Sequence, residues 1–191
     1  MCTPAEPPDV LYLARLQARK RPTVFARMAV ALARSHPDVT FTLVGPDEGE
    51  GAAVDALLRE AGEPRIRWIG PARPEETSTH IARASISVLP SVDEPFPMSV
   101  LESMAHGRPV VVTDTCGLAP LVERAGAGIV VGEDDQSLTA AVRRLLDDPA
   151  LATDTGRRGR ALVSDELSMG AVADRLETIY RSTTGASKRS R

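Results

Sequence analysis

At 191 residues the chain is long enough to bury a substantial core and to make one large domain. Its 42% hydrophobic and 26% charged content is that of a globular protein, while 3% aromatics and a net charge of −3 argue against base-stacking platforms and a general basic field, and so against nucleic acid as a partner. Two cysteines, Cys2 and Cys116, indicate neither a disulfide framework nor a cysteine metal site, and the short apolar runs include no membrane span.

Residues 1–9 carry three prolines and are expected to be irregular, without the basic and apolar pattern of a signal peptide; a cytoplasmic placement follows. Val10 to Leu13 is a first strand, and the loop ARLQARKRP behind it holds a basic cluster, Arg15, Arg19, Lys20 and Arg21. Pro22 to Ser35 has a helical apolar stripe, and Val39 to Gly45 is strand-like. An acidic, glycine-bearing loop, residues 46–51, precedes a helix from Ala52 to Ala61 and a strand from Arg65 to Ile69. A helix from Pro74 to Ala84 leads to Ile86–Pro90, an unbroken apolar run suited to a central parallel strand.

The stretch SVDEPFPMSVLESMAHGRP, residues 91–109, organises the rest. Pro97 suits a first helical position; Met98, Leu101, Met104 and Ala105 follow in helical spacing, and Gly107 suits the end. Glu94 then stands in the loop before the helix and Glu102 on its second turn. Free backbone N–H groups and the positive dipole end attract phosphate, while carboxylates nearby accept hydrogen bonds from hydroxyls. A phosphorylated, hydroxyl-rich ligand satisfies both; the plainer alternative is that the two acids only complement the dipole. His106 at the helix end is expected to cap it, Met98 and Met104 to join the core, Met98 with a second possibility of touching ligand, and His36 and His80 to lie on the surface. Cys116 is read as a small packed residue.

Pro109–Val112 and Gly128–Val131 complete six strand candidates, with a brief helix at Leu121–Ala125 between them. Helices follow at Asp135–Leu146, Pro149–Val163 and Ser168–Tyr180, then a basic tail over residues 182–191 expected to be disordered. Strands alternating with helices predict a doubly wound, parallel, six-stranded α/β sheet, Rossmann-like, with a helical C-terminal end. Right-handed crossovers gather the loops after the strands, bringing Arg15, Lys20, Gly45, Gly70, Ser91 and Glu94 to one edge. The histidines lack metal-ligand spacing and no Asp-x-Asp triplet occurs, so no metal site is expected.

Taken together, LARLQARKRP, FTLVG, RIRWIG and SVLPSVDEPFPMSVLESMAHGRPVV resemble, in order, the segments of the C-terminal, donor-binding half of group 1 retaining glycosyltransferases of GT-B fold. The last piece resembles the family's Glu, seven residues, Glu signature. The resemblance covers Val10 to about Tyr180 and implies a donor-binding domain over residues 10–181. It implies a nucleotide diphosphate sugar as substrate, with no cofactor. Arg15 and Lys20 would meet the diphosphate and Glu94 the donor sugar, the three together forming the catalytic group. Glu102 would hold the ribose. Phe96, Met98 and Ser99 would reach sugar and phosphate, and the base would lie along Trp68, Ile69 and Gly70. An N-terminal acceptor-binding domain or a partner chain is implied for transfer, because nothing before Val10 supplies one, and the isolated chain is expected to be inactive. A lipid-linked acceptor would place the protein peripherally at a membrane. Ala14, Pro22 and the EPFPM loop depart from the family pattern, and Pro95 and Pro97 remove two backbone donors. Two other readings stand beside it: a non-catalytic nucleotide-binding or interaction module of the same fold, and a flavodoxin-like domain with another anionic ligand.

Overall fold

A computed structural model describes residues 7–167. The expected helix at Ser168–Tyr180, the basic tail, Cys2 and the first six residues lie outside the described residues. In chain order the elements are β1 (Asp9–Leu13), a 3-10 turn (Ala18–Lys20), α1 (Pro22–Ala33), β2 (Thr40–Val44), α2 (Gly51–Ala61), β3 (Ile66–Trp68), α3 (Pro74–Arg83) and β4 (Ile86–Leu89). Then follow α4 (Met98–Ala105), β5 (Val110–Thr113), α5 (Ala119–Ala125), β6 (Gly128–Val131), α6 (Asp135–Asp147) and α7 (Pro149–Leu162). Helix α7 passes directly into a wider π turn, Val163–Leu167.

The six strands make one parallel sheet in the order β3-β2-β1-β4-β5-β6. That order is Rossmann-like and differs from the 2-1-3-4-5 order of flavodoxin, which removes the flavodoxin-like reading. The central strands are covered on both faces, so their sequences are continuous apolar runs: all four residues of β4 and all four of β5 are buried. Asp9 belongs to β1, one residue earlier than the apolar run suggests, because it pairs with Thr40 of β2. Helix α1 packs against α2 and α6; α4 packs against α3 and α7, and α5 against α7. The sheet is thus sandwiched between two helical layers.

One expectation about α4 fails. Pro97 is its N-cap, with extended backbone (ψ 110°), and the helix starts at Met98. Its buried face is Val100, Ser103 and Met104, whereas Met98 is 54% exposed and Ala105 is exposed. Met98 is therefore no core residue. Ser103 can face the sheet because its hydroxyl donates to the Ser99 carbonyl (2.7 Å) and is hydrogen-bonded to the Ser87 hydroxyl (2.9 Å).

Candidate functional site

The strand order reverses between β1 and β4, which are neighbours in the sheet but lead to helices in different layers. Loops leaving two such strands diverge, and the crevice between them is where ligands bind in open α/β sheets. Here the first loop is 14–21 and the second 90–97, the two stretches that carry Arg15, Lys20 and Glu94.

The loops are tied together by backbone. Val92 N–H donates to the Arg19 carbonyl (2.9 Å), and the Tyr12 hydroxyl, at the end of buried β1, donates to the Arg15 carbonyl (3.1 Å). Burial pushes the Tyr12 phenol well above its usual range, so it stays a donor. Arg21 takes a left-handed conformation (φ 52°) directly before Pro22. Its guanidinium is anchored to the Glu133 carbonyl (2.6 Å) and the Pro90 carbonyl (3.5 Å). Asp93 is left-handed as well (φ 49°), a conformation that Asp tolerates better than most residues.

Lys20 and Glu94 form a direct ion pair, Nζ on Oε2, and both residues are less than a tenth exposed. Arg19 adds a second cation, with Nη2 at 3.7 Å from the same oxygen and Nη1 donating to the Asp93 carbonyl (3.3 Å). Glu94 is also held from the far side. Its carbonyl accepts from Gly117 N–H (2.8 Å), and Glu94 bridges Cys116 in the loop after β5. Cys116 is packed, 3% exposed, and burial raises its thiol pKa, as expected of a small core residue.

Arg15 points to another partner. Its Nη1 lies 3.0 Å from both carboxylate oxygens of Glu48. Arg15 and Glu102 line one open cavity of about 210 Å³, together with Ala14, Gly45, Pro46 and Ser99. Lys20 and Glu94 lie outside that lining. The four side chains therefore occupy one edge but two adjacent places: a cavity with Arg15 and Glu102, and a buried pair. Gly45 is indispensable to the cavity wall, since a Cβ there would sit 1.9 Å from the Ala14 carbonyl oxygen. Gly45 N–H also donates to the Gly70 carbonyl (2.8 Å), which brings the 68–70 segment to the same edge. Trp68 is half-buried, packs against the core and donates its indole N–H to the Gly45 carbonyl (2.9 Å). Ile69 (46%), Phe96 (51%) and Met98 are exposed. Ser91 Oγ and Gln17 Oε1, from the same two loops, are buried without a hydrogen-bond partner.

Sequence reasoning placed no role on Glu48, Arg19, Arg21 or Tyr12. Glu48 is 33 residues from Arg15, and the only signal for it was the acidic character of its loop. His106 accepts the expected capping place, with Nδ1 at 2.9 Å from the Glu102 carbonyl. His36 differs from expectation: it is partly buried, its Nε2 at 3.0 Å from Asp147 Oδ1. His80 is partly buried too, on α3. Among the described residues no three acidic, histidine or cysteine side chains gather where they could hold a metal ion, and no helix is long and apolar enough to cross a membrane.

Comparison with known proteins agrees with this architecture. The family profile described as "Glycosyl transferases group 1" matches residues 7–148. A glycogen synthase of Mycobacterium tuberculosis is 32% identical over 179 residues, which is 91% of this chain and 42% of that protein. Among solved structures, the sucrose-phosphate synthase of Thermosynechococcus elongatus superposes with a TM-score of 0.76 at 29% identity, covering 94% of this chain and 46% of that one. Anabaena HepE, solved with UDP and glucose, gives a TM-score of 0.77 at 22% identity, covering 91% and 48%. The chain thus spans less than half the length of these relatives.

Proposed function

The chain belongs to the group 1 glycosyl transferases, and from that premise we propose that residues 10–181 are the nucleotide-sugar-binding domain of a retaining glycosyltransferase. The domain presents a donor to an acceptor held by an N-terminal domain or a partner chain. One observation carries the reading: at the β1/β4 reversal a cavity joins Arg15 to Glu102, next to the Lys20–Glu94 pair.

A donor laid along this edge has its diphosphate at Arg15 and Lys20, whose charges stabilise the leaving nucleotide as the glycosidic bond breaks. These two cations do the neutralising that a metal ion does elsewhere. Glu102, on the cavity wall, takes the ribose hydroxyls, and Glu94 the sugar hydroxyls. Backbone N–H groups of Phe96, Met98 and Ser99 reach sugar and phosphate oxygens, because Pro95 and Pro97 have none to give. The base lies by Trp68, Ile69 and Gly70. HepE, whose structure holds UDP and glucose, supports a nucleoside diphosphate as the leaving group in this fold. Transfer with retention then proceeds through an oxocarbenium-like state stabilised by positioning and electrostatics.

Thermal denaturation with UDP-, GDP- and ADP-sugars tests the reading. A nucleotide sugar raises the melting temperature, and Glu102→Ala and Lys20→Ala each remove the rise. No shift with any of them, in a folded sample, overturns it. A second reading is favoured by the Lys20–Glu94 pair, which keeps the two groups engaged with each other: a nucleotide-binding module that transfers nothing by itself. Adding the N-terminal domain of a relative separates the two, since transfer appears only under the first.

A further inference from the structure

We propose that Glu48 is a resident counter-ion for Arg15, a carboxylate that occupies the guanidinium until a phosphate displaces it and so sets how tightly the site takes a nucleoside diphosphate. The inference rests on the reading above, in which Arg15 meets the diphosphate.

The carboxylate is held ready rather than met by chance. Asp47 bridges Leu16, and Glu48 N–H donates to the Leu16 carbonyl (3.0 Å), so the loop after β2 is pinned to the loop after β1. Asp47 Oδ1 in turn accepts from Gly49 N–H and Gly51 N–H, both at 2.8 Å, and these bonds hold its own pKa down. Gly51 is squeezed: a Cβ there would lie 2.6 Å from the Asp47 carboxylate and 2.8 Å from the Trp68 ring. Between them these contacts fix where the Glu48 side chain starts.

Arg15 and Lys20 are both neutralised, but in different surroundings. Lys20 is buried against Glu94, and separating that pair leaves a charge in the interior. The Arg15 and Glu48 side chains are 52% and 35% exposed, so water compensates either partner when they part. Both bonds to Glu48 use Nη1, and Arg15 lines the cavity whereas Glu48 does not. The guanidinium therefore stands between a fixed carboxylate and the hollow. A phosphate entering the hollow forms the stronger bidentate contact with Arg15, and the Glu48 charge remains beside it as a repulsion. Removing that charge without changing the side chain's shape tightens binding.

Calorimetric titration of UDP, GDP, ADP, inorganic pyrophosphate and the bare nucleosides into the wild type, Glu48→Gln, Arg15→Gln and the double variant tests this. Glu48→Gln is expected to tighten the diphosphates and pyrophosphate by about 2- to 5-fold at low salt. The gain shrinks as salt rises to about 0.5 M, is smaller in the Arg15→Gln background, where only the repulsion is left to relieve, and is not seen with nucleosides. Equal or weaker diphosphate binding by Glu48→Gln, where the wild type binds, overturns the counter-ion role and leaves the donor-site reading standing. A wild type that binds none of the phosphates overturns both.

Discussion

Lys20 and Glu94 neutralise each other at the strand-order reversal, each less than a tenth exposed, with Nζ on Oε2 and Arg19 3.7 Å from the same oxygen. Two long side chains from loops 74 residues apart are thereby fixed at the one place where the sheet opens a crevice. A buried pair of this kind adds little net stability but is costly to break from one side.

The first expected outcome follows. Lys20→Met leaves the Glu94 carboxylate buried beside Arg19 alone and lowers the unfolding free energy by about 3 kcal/mol. Lys20→Met combined with Glu94→Leu restores most of that loss, since no charge is then stranded. Urea denaturation of the wild type, both single variants and the double closes the cycle. Additive losses would mean that the two charges do not depend on each other.

The second concerns the loop that backs Glu94. A Cβ on Gly117 would lie 1.9 Å from the Pro95 carbonyl oxygen, and Gly117 N–H already holds the Glu94 carbonyl. Gly117→Ala must push the 94–96 segment outward, at a cost of about 2–4 kcal/mol, and nucleotide binding weakens with it because Glu94 moves. Gly132→Ala is the control: its nearest neighbour is an Asp134 carboxylate oxygen 3.5 Å away, and stability stays within about 0.5 kcal/mol. Equal melting temperatures for the two variants would contradict the close approach.

The fold was readable because its central strands are buried on both sides. Ile86–Leu89 and Val110–Thr113 have no exposed face to interrupt the apolar run, and Gly62 and Gly126 end α2 and α5 in the left-handed conformation that favours glycine. Helix α4 was misread in part because eight residues are too few to fix a face by periodicity, and because its buried Ser103 is polar until its Ser87 partner is known. The basic cluster and both glutamates were visible as residues; their pairing was not. Arg15 with Glu48, Lys20 with Glu94 and His36 with Asp147 join positions 33, 74 and 111 apart, and only the folded sheet brings them together.

The third outcome lies at the opposite end of the sheet. Asp9 Oδ1 accepts from the Thr40 and Thr42 hydroxyls, both at 2.7 Å, yet burial outweighs these bonds and the nearby Arg67 and Arg83 and raises its pKa. A carboxyl whose folded pKa is raised binds its proton more tightly folded than unfolded, so ionisation on going up in pH through the folded pKa costs stability. Asp9→Asn keeps an acceptor for both threonines and has no charge to bury. The variant melts higher than the wild type at pH 7, and the advantage fades as pH falls through the folded pKa, vanishing below the ordinary aspartate range. Melting curves from pH 3 to pH 8 check the sign; an advantage that grew toward acid would refute it.

The last outcome uses Cys116 as a reporter of the site's closure. Its thiol is 3% exposed, its pKa is raised by burial, and it bridges Glu94 in the backbone, so a reagent reaches it only when the 94–117 contact opens. In a Cys2→Ser background, labelling by an aromatic disulfide at pH 8 is expected to be at least about a thousandfold slower than in urea, in proportion to the open fraction. Lys20→Met and Gly117→Ala each loosen that contact and speed the labelling, while Gly132→Ala leaves the rate unchanged. A nucleotide sugar that bridges the two loops slows it further. Rapid labelling of the folded wild type would show that the loops around Glu94 part readily, and the buried Lys20–Glu94 pair could not then be what holds them.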